Sequence, residues 1–299
     1  RLWGVDAFAR EPFRGNPAAV CVLDRPADPV WMQHVAAEMN LSETAFVWGA
    51  AGDPGCWRLR WFTPTMEVAL CGHATLASAH VLWESGLAAT ADPIRFQTER
   101  SGELRCVREG DGIAMDFPAC PAREAAPPAG LVRALGVTPV WVGRTEYDYL
   151  CELPDASAVR MLCPDLRALA AIEARGIIVT ASAGGTGHDF VSRFFAPAAG
   201  VPEDPVTGSA HCALAPYWSA RLGRATLTGW QASARGGEVR VRWEGDRVWL
   251  GGQAVTVWDG QLRSGFVRQP CLGLGEALDP ERGVGGEEVP RVRPVQSPS

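Results

Sequence analysis

Two stretches of this chain place proton-carrying side chains on turns suited to binding an anion. Phe62-Thr63-Pro64 leads, seven residues past the proline, to Cys71-Gly72-His73 and then to a run of small residues, Ala74 to His80. Phe195-Ala196-Pro197 leads, at the same distance, to Asp204-Pro205 and then to Thr207-Gly208-Ser209-Ala210-His211-Cys212-Ala213. Counted from the proline, Asp204 stands where Cys71 stands in the first stretch. Each stretch reads as strand, loop, glycine-containing turn and helix. Helix starts present unpaired backbone N–H groups and the positive end of the helix dipole. Two such starts meeting at Gly72 and Gly208 would hold a carboxylate without a cationic side chain. The plainer reading is that both glycines only permit tight turns. A third acidic group, Glu43, stands at the entry to the apolar run Thr44 to Trp48. Read locally it is a turn residue facing solvent; held against apolar walls, its raised pKa would let it take and return a proton near neutrality.

The elements that must position these groups occur twice. Gly102-Glu103-Leu104-Arg105 matches Gly237-Glu238-Val239-Arg240, and Glu109-Gly110-Asp111 matches Glu244-Gly245-Asp246, both at an offset of 135. Val20-Cys21-Val22-Leu23 resembles Leu150-Cys151-Glu152-Leu153 at an offset of 130. Steady offsets in one order point to duplication of a half, and repeats this long are whole domains rather than solenoid units. Helices rich in Ala, Ser and Gly let surrounding strands come close, so each half reads as a curved sheet, a half-barrel, around one central helix. The fold class is α/β (α+β), with the active site between two pseudo-symmetric halves. The halves are residues 1–118, with 262–278 as a candidate completion, and 119–261; the Pro-rich stretch 118–130 is the linker. Residues 279–299, rich in Pro, Gly and charge, read as a disordered tail.

Pattern predicts strands at 2–8, 18–23, 44–48, 58–62, 94–98, 103–108 and 112–117 in the first half. A helix over 29–39 has Asp28 as N-cap and Asn40 as left-handed terminator. The small-residue helix 74–84 is closed by Gly86. The second half has helices over 131–135, 165–174 and 210–222. Its strands are expected at 140–142, 149–153, 176–181, 189–195, 226–231, 238–243 and 247–257.

Composition narrows the function classes. All 28 cationic side chains are Arg, so chemistry requiring a lysine amine is unavailable: a pyridoxal phosphate Schiff base, a lysine aldolase or a Walker-type phosphate loop. A net charge of −6 speaks against nucleic acid or an anionic membrane as partner. No apolar run is long enough to span a bilayer, and the first residues lack a secretory pattern. The nine Cys occur singly, none in a Cys-x-x-Cys pair, which reads as reduced, buried thiols in a cytoplasmic protein rather than disulfides or a metal site.

Several motifs together resemble the phenazine-biosynthesis isomerase (PhzF-like) family. They are Gly15-Asn16-Pro17-Ala18-Ala19-Val20, Ser42-Glu43-Thr44-Ala45-Phe46, Phe62-Thr63-Pro64 with Glu67-Val68 and Cys71-Gly72-His73-Ala74-Thr75, Phe194-Phe195-Ala196-Pro197 with Glu203-Asp204-Pro205-Val206-Thr207-Gly208-Ser209-Ala210, and Gln231 with Arg235-Gly236-Gly237. The resemblance spans roughly residues 1–275. It implies the diaminopimelate-epimerase fold, activity without a cofactor or metal, and a homodimer. It also implies Glu43 as catalytic acid/base with His73 and Asp204 as its partners, and Gly72, Gly208 and Ser209, beside Cys71, as the substrate-binding turns. Related epimerases carry a Cys at each turn; here only Cys71 is one. Cys71 then reads as a packing residue or as one half of a Cys/carboxylate pair.

Three readings follow. In the first the protein is an isomerase that moves a proton within a small carboxylic-acid metabolite in a biosynthetic pathway. In the second it is an epimerase or racemase using Cys71 with a carboxylate. In the third it is a non-catalytic metabolite-binding protein on the same fold.

Overall fold

Strands of apolar or alternating sequence make up most of the chain, and their pairing repeats. The computed structural model describes residues 1–263 apart from 54, 90 and 186. In the first half Leu2–Ala7 pairs antiparallel with Asn16–Val22, which runs parallel to Glu43–Gly49. Cys56–Phe62 follows antiparallel, takes the short strand Glu67–Val68 at one end, and continues in parallel to Ile94–Gln97. Glu103–Glu109 and Gly112–Pro118 complete the run, each antiparallel to the strand before it.

The second half repeats that order and those directions strand for strand. Trp141–Arg144, Asp148–Glu152, Gly176–Ser182, Phe190–Ala196, Val201–Asp204, Thr226–Gln231, Gly237–Glu244 and Arg247–Gly252 are its members. The two halves then join through equivalent strands, because Gly112–Pro118 pairs antiparallel with Arg247–Gly252. Met115 lies opposite Leu250, its own counterpart at the offset of 135, so a pseudo-twofold axis passes through that pair.

Each half wraps one helix, Gly72–Glu84 in the first and Gly208–Leu222 in the second, and both are buried nearly all round. A helix without a polar face cannot stand at a surface. Here the small side chains let strands pass on every side, as the composition of the two runs predicted. Pro216 interrupts the second helix and has no N–H for the Cys212 carbonyl one turn back. The backbone N–H of Cys120, from the segment joining the halves, donates to that carbonyl at 3.0 Å instead. The joining segment is therefore a structural part of the second core.

Three expectations change in the structure. The single strand expected over 247–257 is two, Arg247–Gly252 and Ala254–Gly260, parted at Gln253. The second of these crosses over to pair with Leu2–Ala7, so a strand from the 119–261 segment extends the first sheet. The helix expected over 165–174 is the shorter Leu166–Ala170, and a further helix, Ala156–Met161, precedes it. Asp155 and Asp165 cap these two by accepting from Ala158 and Ala168 N–H, a local signal strong enough to start two short helices. The linker contains a two-residue strand, Arg123–Glu124, paired with Gly143 and Arg144. By contrast the helix Pro29–Met39 has the expected bounds, with Asp28 accepting from Val30 N–H and Asn40 left-handed.

Of the eight Cys among the described residues, all are free thiols and six are buried. Among the described residues no helix is long and apolar enough to cross a membrane. The expectations for Cys271, for 279–299 and for nearly all of 262–278 lie outside the described residues.

Candidate active site

The two glycine turns meet. A Cβ placed on Gly72 would stand 3.5 Å from the Gly208 Cα, and one placed on Gly208 the same distance from the Gly72 Cα. Both helix starts therefore point their free N–H groups into one place. Cys71 is the extended N-cap of the first helix and Thr207 that of the second. The helix register thus matches Cys71 with Thr207, not with Asp204 as counting from the proline suggested. Pro64 to Gly72 is eight steps and Pro197 to Gly208 eleven, so the second turn is three residues longer. Asp204 ends the short strand Val201–Asp204, and the longer turn brings its side chain back under the helix start.

Matching ion pairs hold the two turn-bearing strands. Arg60 grips Glu67 with two hydrogen bonds of 2.7 and 2.8 Å, and Arg193 grips Glu203 with two of 2.7 and 3.0 Å. Both are bidentate forks, the strong geometry for this kind of pair. Each lies immediately upstream of its turn.

Glu43 opens the strand Glu43–Gly49 beside Ala18 and reaches the same place. Its Oε2 lies 3.2 Å from Nε2 of His73, whose side chain is 6% exposed. On the other side of the imidazole stands Asn16. Asn16 Nδ2 donates to Asp204 Oδ1 at 2.8 Å and to the Val206 carbonyl at 2.9 Å, and it lies 3.2 Å from His73 Nδ1. Two acceptors fix this amide the right way round, since flipping it would set oxygen against oxygen. With both its protons used on those acceptors, a nitrogen that cannot accept faces His73 Nδ1, which disfavours a proton there and sets the ring proton on Nε2, toward Glu43. The Cys71 sulfur is 3.5 Å from Nδ1 and 4.0 Å from Nε2.

Burial sets the charges. Glu43 is pushed up to about 7, first by loss of water and then by the Asp204 charge. Asp204 is raised to about 6 by burial, against the hydrogen bonds of Thr207 and Asn16. His73 falls to about 3 for lack of solvent, so it is the neutral imidazole at any ordinary pH. The Cys71 thiol is held well above its ordinary value by burial and by Glu43. Glu43 and Asp204 therefore both have two protonation states populated near neutrality, and of the two it is Glu43 that faces His73 Nε2.

Glu43, Cys71 and His73 each offer one ligand atom within 4.8 Å of the others, a spacing that could suit a metal ion. The surroundings do not fit one. A ligating His donates its second ring N–H to an acceptor, whereas His73 Nδ1 faces the Asn16 amide nitrogen. A thiol held protonated is also a poor ligand.

Every residue singled out from sequence as catalytic or substrate-binding lies in or beside this cluster. Glu43, Cys71, His73 and Asp204 face one another, Gly72 and Gly208 touch, and Ser209 follows Gly208 in the helix start. Asn16, Thr207 and Gln231 were legible only as motif letters, without a role. Asn16 is fully buried and bridges the two halves; Gln231 is fully buried and holds the 204–207 turn. A buried amide gives no periodicity signal that local sequence reading could detect.

Comparison with known proteins bears on the family and the fold. Residues 5–260 match the family described as PhzC-PhzF, phenazine biosynthesis-like protein. A protein of Halalkalibacterium halodurans named as an uncharacterized isomerase is 50% identical over 262 residues, covering 87% of this chain and 97% of the relative. The crystal structure of a PhzF-family phenazine biosynthesis protein from Enterococcus faecalis superposes with a TM-score of 0.81 at 40% identity, over 86% of this chain and 96% of that one. A probable proline racemase from Agrobacterium radiobacter shares the fold at a TM-score of 0.58 and 11% identity, over 88% of this chain and 92% of that one.

Proposed function

This chain belongs to the phenazine biosynthesis-like (PhzC-PhzF) family, and on that premise we propose that it is an isomerase moving a proton within a small carboxylic acid by Glu43 general acid/base catalysis. The observation that carries the proposal is the setting of Glu43. A partly buried carboxyl raised to about 7 is within hydrogen-bond reach of a neutral imidazole and beside two converging helix starts. Glu43 takes the proton from one carbon and returns it to another. The His73 Nε2–H steadies the Glu43 carboxylate while it is charged. The N–H groups after Gly72 and Gly208, with Ser209, hold the substrate carboxylate and so favour charge developing beside it. Nothing in this scheme uses a cofactor or metal. A homodimer in the cytoplasm, with no nucleic-acid or membrane partner, completes the proposal.

The epimerase reading draws on the nearness of the Cys71 sulfur to His73. Its weakness is the thiol's raised pKa, which leaves little thiolate to act as a base. The discriminating experiment incubates the protein with a panel of small unsaturated and amino-acid-like carboxylic acids in deuterium oxide. Isomerisation is expected to give deuterium uptake with a changed ultraviolet spectrum, and Glu43→Gln to abolish both. Uptake at a stereocentre with loss of optical activity, surviving Glu43→Gln but not Cys71→Ala, would overturn the assignment.

A further inference from the structure

The hydrogen bonds around Asp204 run in one direction only. Gln231 Oε1 accepts the Thr207 backbone N–H at 2.9 Å, which fixes the orientation of its amide. Gln231 Nε2 therefore donates, to the Asp204 carbonyl at 2.8 Å and to Thr207 Oγ1 at 3.2 Å. A hydroxyl has a single proton. With an amide N–H filling one of its lone pairs, Thr207 turns that proton to its remaining neighbour and donates to Asp204 Oδ2. Asn16 donates to Oδ1 from the other side. Both carboxylate oxygens thus accept from donors whose own directions are set elsewhere, and each keeps one lone pair for a ligand.

From this arrangement we propose that Thr207 and Gln231 are positioning residues that lock Asp204 as a hydrogen-bond acceptor. Asp204 then receives an N–H or O–H of the bound acid and does not shuttle a proton. The proposal rests on the isomerase reading for the word substrate, but the lock itself is a property of the folded protein. The charged and titratable groups around Asp204 are Glu203 on its own strand, Arg175 just before the strand Gly176–Ser182, and Glu43, Cys71 and His73 from the other half. Arg175 and Glu203 act on the Asp204 charge in opposite directions, and the two hydrogen-bond donors stand ahead of both.

The lock is tested by titrating the Asp204 carboxyl directly, by isotope-edited infrared or NMR, in protein without substrate. The midpoint expected for the unaltered protein is near 6. Thr207→Val removes the hydroxyl and keeps the shape, and is expected to raise the midpoint by about one unit or more, the scale of a lost hydrogen bond to a charged group. Thr207→Ser should restore it. Gln231→Glu replaces the donor facing Thr207 by an acceptor, turns the hydroxyl away, and should raise the midpoint more than Gln231→Leu does. If Thr207→Val does not fold, the Gln231 pair reads the same quantity. Turnover adds a second readout: activity lost by Thr207→Val near neutrality should return at higher pH, which structural damage would not allow. An unmoved midpoint in Thr207→Val, or in both Gln231 variants, overturns the lock. Absence of turnover on every acid tried, with the midpoints moved as expected, would count against the isomerase reading and leave the lock standing. If Asp204→Asn costs as much rate as Glu43→Gln, Asp204 does shuttle a proton and the assigned role is wrong.

Discussion

The two halves share strand order, directions and a central helix, yet only the first carries a carboxyl at the head of its third strand. Glu43 pairs with Ala18 across the parallel strands, and Gly176 pairs with Asp148 at the corresponding place. Gly176 has no side chain to offer, and its space is taken. A Cβ there would stand 2.4 Å from the Phe194 ring and 3.0 Å from the Phe195 carbonyl. Arg175, in place of Ser42, is held by the buried Asp148 and lies over that same ring. The N-caps differ in the same sense, with a thiol at Cys71 and a hydroxyl at Thr207. Duplication supplied a symmetric frame with two glycine turns that meet. Substitution then left a carboxyl facing His73 on one side and, on the other, packed aromatics with Asp204 accepting from Thr207 and Asn16. A single base suits a reaction in which one proton leaves and returns on the same face. Two facing bases are what racemisation requires.

The largest expected effect breaks the catalytic side of that comparison. Glu43→Gln keeps the shape but cannot cycle a proton, so kcat should fall by at least ~10²-fold, the lower range for a general acid/base, with KM little changed. Cys71→Ala is expected to cost far less, because the thiol stays protonated. Steady-state rates of the two variants on any accepted substrate decide the order, and the reverse order would return the base to Cys71.

Filling the second half tests the other side. Gly176→Ala drives a methyl into Phe194 and a backbone carbonyl, so stability should fall by ~1–3 kcal/mol, the usual cost of overpacking. Denaturant unfolding reads this directly. An unchanged midpoint would mean that the aromatic filling is loose and that the mirror site is open to a base after all.

Next come the matched ion pairs. If the halves are mechanically equivalent, Arg60→Met and Arg193→Met should destabilise by similar amounts, ~1.5–3 kcal/mol for hydrogen bonds to a charged group at partly buried sites. Arg193 also donates to the Val159 and Leu162 carbonyls, so it should be the costlier of the two. Thermal melts of both variants give the ranking.

The last effect concerns pH. A carboxyl whose folded pKa is raised favours the folded state below its unfolded pKa, and that contribution is lost as pH rises through the folded value. For Glu43 the window runs from its ordinary 4.5 to about 7. Glu43→Gln lacks this term and should gain stability relative to the parent as pH rises from 5 to 8, by at most about 3 kcal/mol. Urea unfolding at the two pH values measures it, and a constant difference would mean that the carboxyl titrates as if exposed.

The fold was legible because its signals are local or periodic. Turn glycines, the Asp28 cap, the small-residue runs and apolar strands at steady offsets are each set by neighbours in sequence. The extra helix Ala156–Met161 and the break at Gln253 were not. A short capped helix carries little pattern, and a strand that changes partners looks continuous until both partners are in place.

The same division runs through the site. The sequence by itself determined that two glycine turns open small-residue helices, that no lysine chemistry is available, and that Glu43, Cys71, His73 and Asp204 are candidates. Apart from the family resemblance, local pattern could not rank them, because a carboxyl's pKa depends on what excludes water from it and on which charge stands opposite. Tertiary structure decided that Thr207 rather than Asp204 stands opposite Cys71, since helix register, not distance from a proline, sets equivalence. It also decided the roles of Asn16 and Gln231, whose meaning lies wholly in the direction of their hydrogen bonds. Direction comes from partners distant in the chain: Asn16 meets Asp204 across 188 residues. Only the folded chain brings such partners within bonding distance.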